Sequence, residues 1–393
     1  MIKGRSAMVA SAAMVLVASG ACTTRSATSS ACAPRRSPPG VIAYVTDYGS
    51  NAVSPIYTRT NTAGKPIKVG RYPAAIAITP DGKAAYVTNE IKPGGNVPGT
   101  VTPINTHTST AGKPIKVGRD PLMIAITPDG KIAYVLNTYY NPLRPRRGTV
   151  TPIRTATNKA DKPIKVGFFP SAIAITPDGK SAYVTNVVSS TVSPIRTSTN
   201  TAGKPIKVGT GPTAIAITPD GKTAYVVSFT LHSNVVTPIR TATNTVGKPI
   251  RLEPNDGGPA AIAITPNGKT AYIVNSNFDT VTPILTATNT AGKPIKVRRY
   301  PLGFAITPDG KTAYVFYSNS RMITPINTAT NTAGKPIIAG KGQAGPIAIT
   351  PDGKSAYVAN WNSGTVTPIC TATNTAGKPI KVGRKPADIA ITP

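Results

Sequence analysis

Side chains able to do acid–base, nucleophilic or metal chemistry are few and scattered in this sequence. The 393-residue chain holds 14 Asp and Glu, two His and three Cys. Six of the acids (Asp81, Asp129, Asp178, Asp220, Asp309, Asp352) sit in copies of one tetrapeptide, Pro-Asp-Gly-Lys, and read as turn residues. The others are Asp47, Glu90, Asp120, Asp161, Glu253, Asp256, Asp279 and Asp388. Of these, Asp120, Asp256 and Asp388 stand beside apolar P-x-x-I-A-I-T runs. A general acid/base pair needs two groups in reach of one substrate, and no spacing here imposes that. Cys22, Cys32, Cys370, His107 and His232 have no metal-ligand spacing, and three Cys make no disulfide scaffold. No catalytic residue, metal site or cofactor is assigned. The isolated His107 and His232 read as inert. Cys370 reads as a bystander where other copies carry Arg154, Arg196 or Asn105. Trp361, the single Trp, follows Asn360 and is either a packed loop aromatic or a ligand platform.

Binding chemistry is better represented. Tyr139, Tyr140, Arg144, Arg146, Arg147, Phe168 and Phe169 form one aromatic–Arg grouping, of the residue types that interface hot spots favour. The net charge of +30 has a second consequence. Seven lysines close the P-D-G-K-type turns: Lys83, Lys131, Lys180, Lys222, Lys269, Lys311 and Lys354. Further Lys and Arg recur at fixed places between those turns. Such repetition predicts a strongly positive face suited to polyanions.

The composition is poor in helix formers. There are two Glu, one Gln and eight Leu in the whole chain. Val, Ile, Thr and Tyr favour strands. From Val41 onward the sequence repeats. The segment Ile78-Thr79-Pro80-Asp81-Gly82-Lys83 recurs around Pro128, Pro177, Pro219, Pro266, Pro308 and Pro351, and the chain ends at Ile391-Thr392-Pro393. The spacings are 48, 49, 42, 47, 42, 43 and 42 residues. A strand-rich period of 40–50 residues indicates an all-β propeller.

Each unit reads as four strands: P-x-x-I-A-I-T, then A-Y-V-T, then T-V-T-P-I, then K-P-I-K-V. The phase sets the count. The domain begins on a second strand, Ala43-Tyr44-Val45, and ends on a first strand, Pro386 to Thr392. The two leftovers complete one blade, predicting eight four-stranded blades with the C-terminal strand closing the N-terminal one. Seven blades would leave strands unpaired. A proline inside every third strand (Pro55, Pro103, Pro152, Pro194, Pro238, Pro283, Pro325, Pro368) predicts a bulge or lost pairing there. P-D-G-K and T-A-T-N turns share one face and are nearly constant. The loops of the other face vary, so that face is where a site is sought.

The segments Tyr86-Val87-Thr88-Asn89 and Tyr183-Val184-Thr185-Asn186, with variants at Tyr44, Tyr272 and Tyr357, resemble the YVTN signature of bacterial and archaeal β-propeller repeats. The resemblance covers nearly all of residues 41–393. It extends to surface-layer propellers and, more distantly, to propeller lactonases, and it implies a propeller at the cell surface with no one activity. YVTN proteins are often described as seven-bladed, and the third-strand proline also departs from the pattern.

Ahead of the repeats, Lys3 and Arg5 precede a 12-residue apolar run, Ala7 to Ala18. That is short of the roughly 20 residues that span a bilayer, and it describes a secretory signal over residues 1–21. Ser19-Gly20-Ala21-Cys22 resembles a lipobox, which implies acylation of Cys22. Residues 22–40 then read as a flexible tether, and 41–393 as the propeller. These features together predict an exported, lipid-anchored binding or structural module at the cell envelope, meeting an envelope polymer or surface protein. A lactone hydrolase and a non-specific nucleic-acid binder are the alternatives. The anchor has a direct consequence: wild-type protein partitions into detergent, and Cys22→Ala releases it to the medium. Fully soluble wild-type protein whose mature N-terminus is not Cys22 contradicts it.

Overall fold

The computed structural model describes residues 40–90, 97–139, 146–230, 233–253 and 258–393, without the side chains of Thr230 and Ser233. Every helix or strand among them is a β-strand. They form eight antiparallel sheets, the blades of a propeller. Inner strands begin at Pro73, Pro121, Pro170, Pro212, Pro259, Pro301, Ala344 and Pro386. Each touches its neighbours around the full ring, so together they wall a central channel. Blades are numbered here from the one containing Ile42.

The leftover strands do pair. Pro386–Ile391 is the inner strand of blade 1 and lies antiparallel to Ile42–Asp47, with Ala43 opposite Ile391 and Val45 opposite Ile389. Second strands such as Ala84–Asn89 are buried over nearly their whole length. Both of their faces are covered because each blade is sandwiched between two others, which explains their unbroken apolar run. The core is accordingly inter-blade. Tyr44, Val53 and Ile67 of blade 1 pack with Ile76, Val87 and Ile104 of blade 2. Across the seam, Val45, Ile56 and Ile389 pack with Tyr357, Val366 and Ile380 of blade 8.

The proline in each third strand divides the outer strand. In blade 1, Thr62–Ala63 and Ile67–Lys68 both pair with Ala52–Tyr57, and Gly64, Lys65 and Pro66 loop out between them. The Pro55 carbonyl accepts the Gly64 N–H at 2.8 Å. A residue's N–H and C=O point the same way in a strand, so the donor that proline lacks would have faced this gap. Pairing with the second strand on the other side is unbroken, Tyr44 standing opposite Pro55. The same division recurs in all eight blades, giving five strands where one long outer strand would give four.

Repeat-constant polar residues join blade to blade. The second-strand tyrosine donates to the turn asparagine of the next blade: Tyr86 to Asn158, Tyr134 to Asn200, Tyr183 to Asn244 and Tyr225 to Asn289, at 2.6 to 2.7 Å. Tyr272–Asn331, Tyr314–Asn374 and Tyr357–Asn61 repeat the contact at 2.6 Å, the last across the seam. At the eighth junction Tyr44 reaches the Thr106 carbonyl at 2.9 Å and Ser109, which replaces the asparagine, at 3.2 Å. Burial pushes the Tyr183 phenol up to about 12, so it remains a donor. These asparagines have φ of 53–58°, a region Asn tolerates better than most residues. Within each blade the turn is tied down again, as where Thr155 Oγ1 donates to the Gly130 carbonyl at 2.6 Å.

One corner departs from the repeat. Five blades place Asn at the end of the second strand, as in Asn186, whose amide donates to Ser193 at 3.0 Å and whose carbonyl accepts Gly167 N–H at 2.9 Å. Blade 1 has Asp47 there, fully buried, accepting from Ser54 at 2.6 Å and from the Gly383 N–H. Burial raises its pKa to about 7 despite those bonds. The folded protein therefore binds this proton more tightly than the unfolded chain. The stabilising contribution is complete below about pH 4 and is lost as pH rises to about 7. Asp47→Asn should raise the Tm by about 2–5 °C at pH 8 and change it little at pH 4. Thermal melts at the two pH values check this.

Candidate functional site

The face opposite the constant turns is built from two residues per blade around the channel mouth. One precedes the inner strand and the other follows the second strand. The carbonyl of the former accepts the N–H of the latter: Lys385 from Tyr48 at 3.1 Å, Tyr72 from Glu90 at 3.3 Å, Asp120 from Thr138 at 3.0 Å, and Gln343 from Trp361 at 3.0 Å. In six blades the residue before the inner strand lies in the left-handed region: Tyr72 (52°), Asp120 (47°), Phe169 (54°), Gly211 (65°), Tyr300 (57°) and Lys385 (54°). For a bulky side chain this is a strained conformation costing about 1–3 kcal/mol. It is held from outside, as where Asn51 Oδ1 accepts the Tyr72 N–H at 3.0 Å.

Over blades 8, 1, 2 and 3 these positions carry adjoining functional side chains. The Tyr48 ring lies 5.1 Å from Tyr72 and 5.7 Å from Trp361, tilted 39° to each. The Lys385 ammonium sits 5.8 Å from the Trp361 centroid. Tyr48 donates to Glu90 Oε2 at 3.4 Å. Glu90 is buried, and that burial, followed by the charge of Asp120, pushes its carboxyl up to about 7.

The aromatic–Arg grouping adjoins this arc and is assembled in part. Two guanidinium groups lie over the Tyr139 ring, Arg146 at 5.2 Å and Arg119 at 5.5 Å from its centroid. Arg147 stands 5.6 Å from Phe168, its partner across the sheet. Phe169 takes the position before the inner strand of blade 4. Tyr140 and Arg144 lie outside the described residues, as do Cys22, His232 and Asp256.

The other candidates divide by role. Asp388 belongs to the seam between blades 1 and 2, its Oδ2 accepting the Ile76 N–H at 3.0 Å. His107 is exposed in a turn capped by Asn105. Cys370 is disulfide-bonded, which corrects the reading of it as a bystander. Among the described residues no three His, Cys, Asp or Glu side chains converge on one point.

The cations form two sets. Turn lysines are exposed beside acids: Lys83–Asp81 at 3.6 Å, Lys131–Asp129 at 3.5 Å, Lys180–Asp178 at 3.9 Å and Lys354–Asp352 at 3.7 Å. The turn aspartates are spoken for as well. Asp81 accepts the Thr79 hydroxyl at 2.6 Å and the Lys83 N–H at 3.1 Å, and its pKa is lowered by the Thr79 bond first. Asn267 makes the same turn in blade 6, so the role is geometric. The outer rim differs. Lys65, Lys113 and Lys162 stand in the proline bulges of blades 1 to 3, Lys68, Lys116 and Lys165 follow in the adjoining strands, and all six are exposed. Among the described residues none of them lies in an ion pair within 4.0 Å.

Sequence comparison of the repeats singled out Trp361 but not Tyr48, Tyr72, Glu90 or Lys385 as its company. The usable signal is the residue before each inner strand, which reads Tyr, Asp, Phe, Gly, Gly, Tyr, Gln and Lys around the ring while the residue after it is Pro in every blade but one.

No protein-family model and no curated protein matches the chain. Solved structures share its architecture. Hydrazine synthase from Kuenenia stuttgartiensis is 25% identical with a TM-score of 0.61, over 76% of this chain and 96% of that one. The dihydro-heme d1 dehydrogenase NirN, solved in complex with DHE, is 16% identical with a TM-score of 0.74, over 91% and 76%. Apo AztD from Citrobacter koseri is 12% identical with a TM-score of 0.63, over 89% and 97%. These likenesses show the propeller fold.

Proposed function

We propose that the protein is a binding module of the cell envelope, exported and held at the membrane through an acylated Cys22, whose basic rim grips anionic polymers. Membership among YVTN-repeat propellers belongs to the same proposal and rests on the repeated Tyr-Val-Thr-Asn segments. The observation that carries the reading is the distribution of charge. Acids are concentrated in the inner turns, where they hold the backbone and offset the turn lysines. At the outer edge Arg154 pairs with Asp161 at 3.0 Å, but among the described residues the rim lysines lie in no ion pair, so the excess of positive charge lies outermost.

A face of this kind attracts linear polyanions by counterion release, without recognising a sequence of units. Lysines on outer strands also deter edge-to-edge aggregation, and that role is compatible with binding. The inner ring of turn lysines, Lys83 and its six equivalents, adds reach to a polymer lying across the same half of the ring. The propeller itself supplies a rigid support.

The test is a binding series with heparin as a linear polyanion probe. Affinity should fall by tenfold or more between about 50 and 200 mM salt. Changing Lys65, Lys113 and Lys162 together to Gln should weaken binding and flatten the salt slope. Changing Lys83, Lys131 and Lys180 should do less. No binding at low salt, or binding indifferent to salt, overturns the proposal.

A further inference from the structure

We propose that the arc of Tyr72, Tyr48 and Trp361 at the channel mouth is a saccharide-binding trough, with Glu90 and Asp120 at one end and Lys385 at the other supplying polar contacts. The site is separate from the basic rim and goes beyond the polyanion reading.

Three observations select the ligand class. First, the rings follow one another around the mouth with centroids 5.1 and 5.7 Å apart. That spacing is comparable to the width of one sugar ring, and the rings are half-buried or exposed. Each is tilted 39° to the next, so the strip they make offers no parallel pair between which a flat heterocycle would slot. A pyranose suits such a strip, because its electropositive C–H face lies against the negative face of an aromatic ring.

Second, the face of Trp361 already receives the Lys385 ammonium at 5.8 Å. An organic cation would meet that charge, whereas a neutral or acidic sugar would gain a donor from it. Third, the far end carries the Tyr48 hydroxyl and the Glu90 carboxyl, 3.4 Å apart, with Asp120 beside them. Hydroxyl groups of a sugar donate to carboxylates and accept from phenols.

The backbone agrees with a site. Tyr72 and Lys385 are both held at positive φ, and strain of this kind is retained where surrounding structure enforces it. Glu90, Tyr48 and Trp361 are the residues whose N–H groups hold the carbonyls before the inner strands of blades 2, 1 and 8. The arc is therefore preorganised by the same bonds that close the mouth.

The chain has a single Trp, so its intrinsic fluorescence reports on this site alone. Titration of the full-length protein with chitotriose, a neutral oligosaccharide, should give a saturable change in Trp361 emission. Tyr72→Ala and Tyr48→Ala should each weaken binding at least tenfold, and Tyr72→Phe should keep most of it. Glu90→Ala should lose more than Glu90→Gln. The triple Lys65, Lys113 and Lys162 to Gln variant should bind chitotriose as wild type does, which separates this site from the rim. An oligoglucuronate with tighter binding than chitotriose would still support the trough and assign Lys385 the larger part. No emission change with either saccharide overturns the proposal. So does a stronger response to tetramethylammonium, or unchanged affinity in both tyrosine-to-alanine variants of normal far-ultraviolet circular dichroism.

Discussion

One hydrogen bond, made between each blade and the next, organises this molecule. A buried tyrosine must satisfy its hydroxyl, since an unpaired buried donor costs about 1–3 kcal/mol. It does so on an asparagine of the neighbouring blade, seven times around the ring, with Ser109 as the eighth partner. The asparagine can accept because it sits at positive φ, which bends the T-A-T-N turn back toward its neighbour. The threonine of that turn is bonded to the P-D-G-K glycine carbonyl of its own blade, as Thr155 is to Gly130. Constant sequence on this face is thus constant geometry. It leaves little there for a specific ligand to read.

The opposite face is free of that requirement. Backbone bonds join the two residues each blade contributes to the mouth, so their side chains can change from blade to blade without loosening the ring. Variation has accumulated there, with aromatic, acidic and basic groups clustered over four neighbouring blades. A third zone, the outer edge, follows from proline. Because the third strand cannot donate at Pro55 and its equivalents, the outer strand loops out, and each loop presents a lysine. Ring closure, a variable mouth and a cationic rim are three results of one repeat.

Much of this was legible from the chain. The phase of the repeat, starting on a second strand and ending on a first, implies the pairing of Ile42–Asp47 with Pro386–Ile391. The strand prolines foretold the broken outer ladder. The aromatic arc was not legible, because Tyr48 and Trp361 stand at opposite ends of the sequence and meet only where the ring closes. Glu90 and Lys385 look like ordinary loop residues until their blade positions are aligned. Charge counting alone does not show an aspartate two residues from a turn lysine folding back on the same turn, as Asp81 does beside Lys83. Cys370 had no neighbour in sequence to suggest its bonding.

The inter-blade bond is tested most directly at a junction away from both proposed sites. Tyr272→Phe removes only the hydroxyl that donates to Asn331 at 2.6 Å, leaving the ring packed. Urea unfolding followed by circular dichroism should show one cooperative transition, with stability lowered by about 1–2 kcal/mol and the slope unchanged. A midpoint identical to wild type would contradict the view that these bonds hold the blades together.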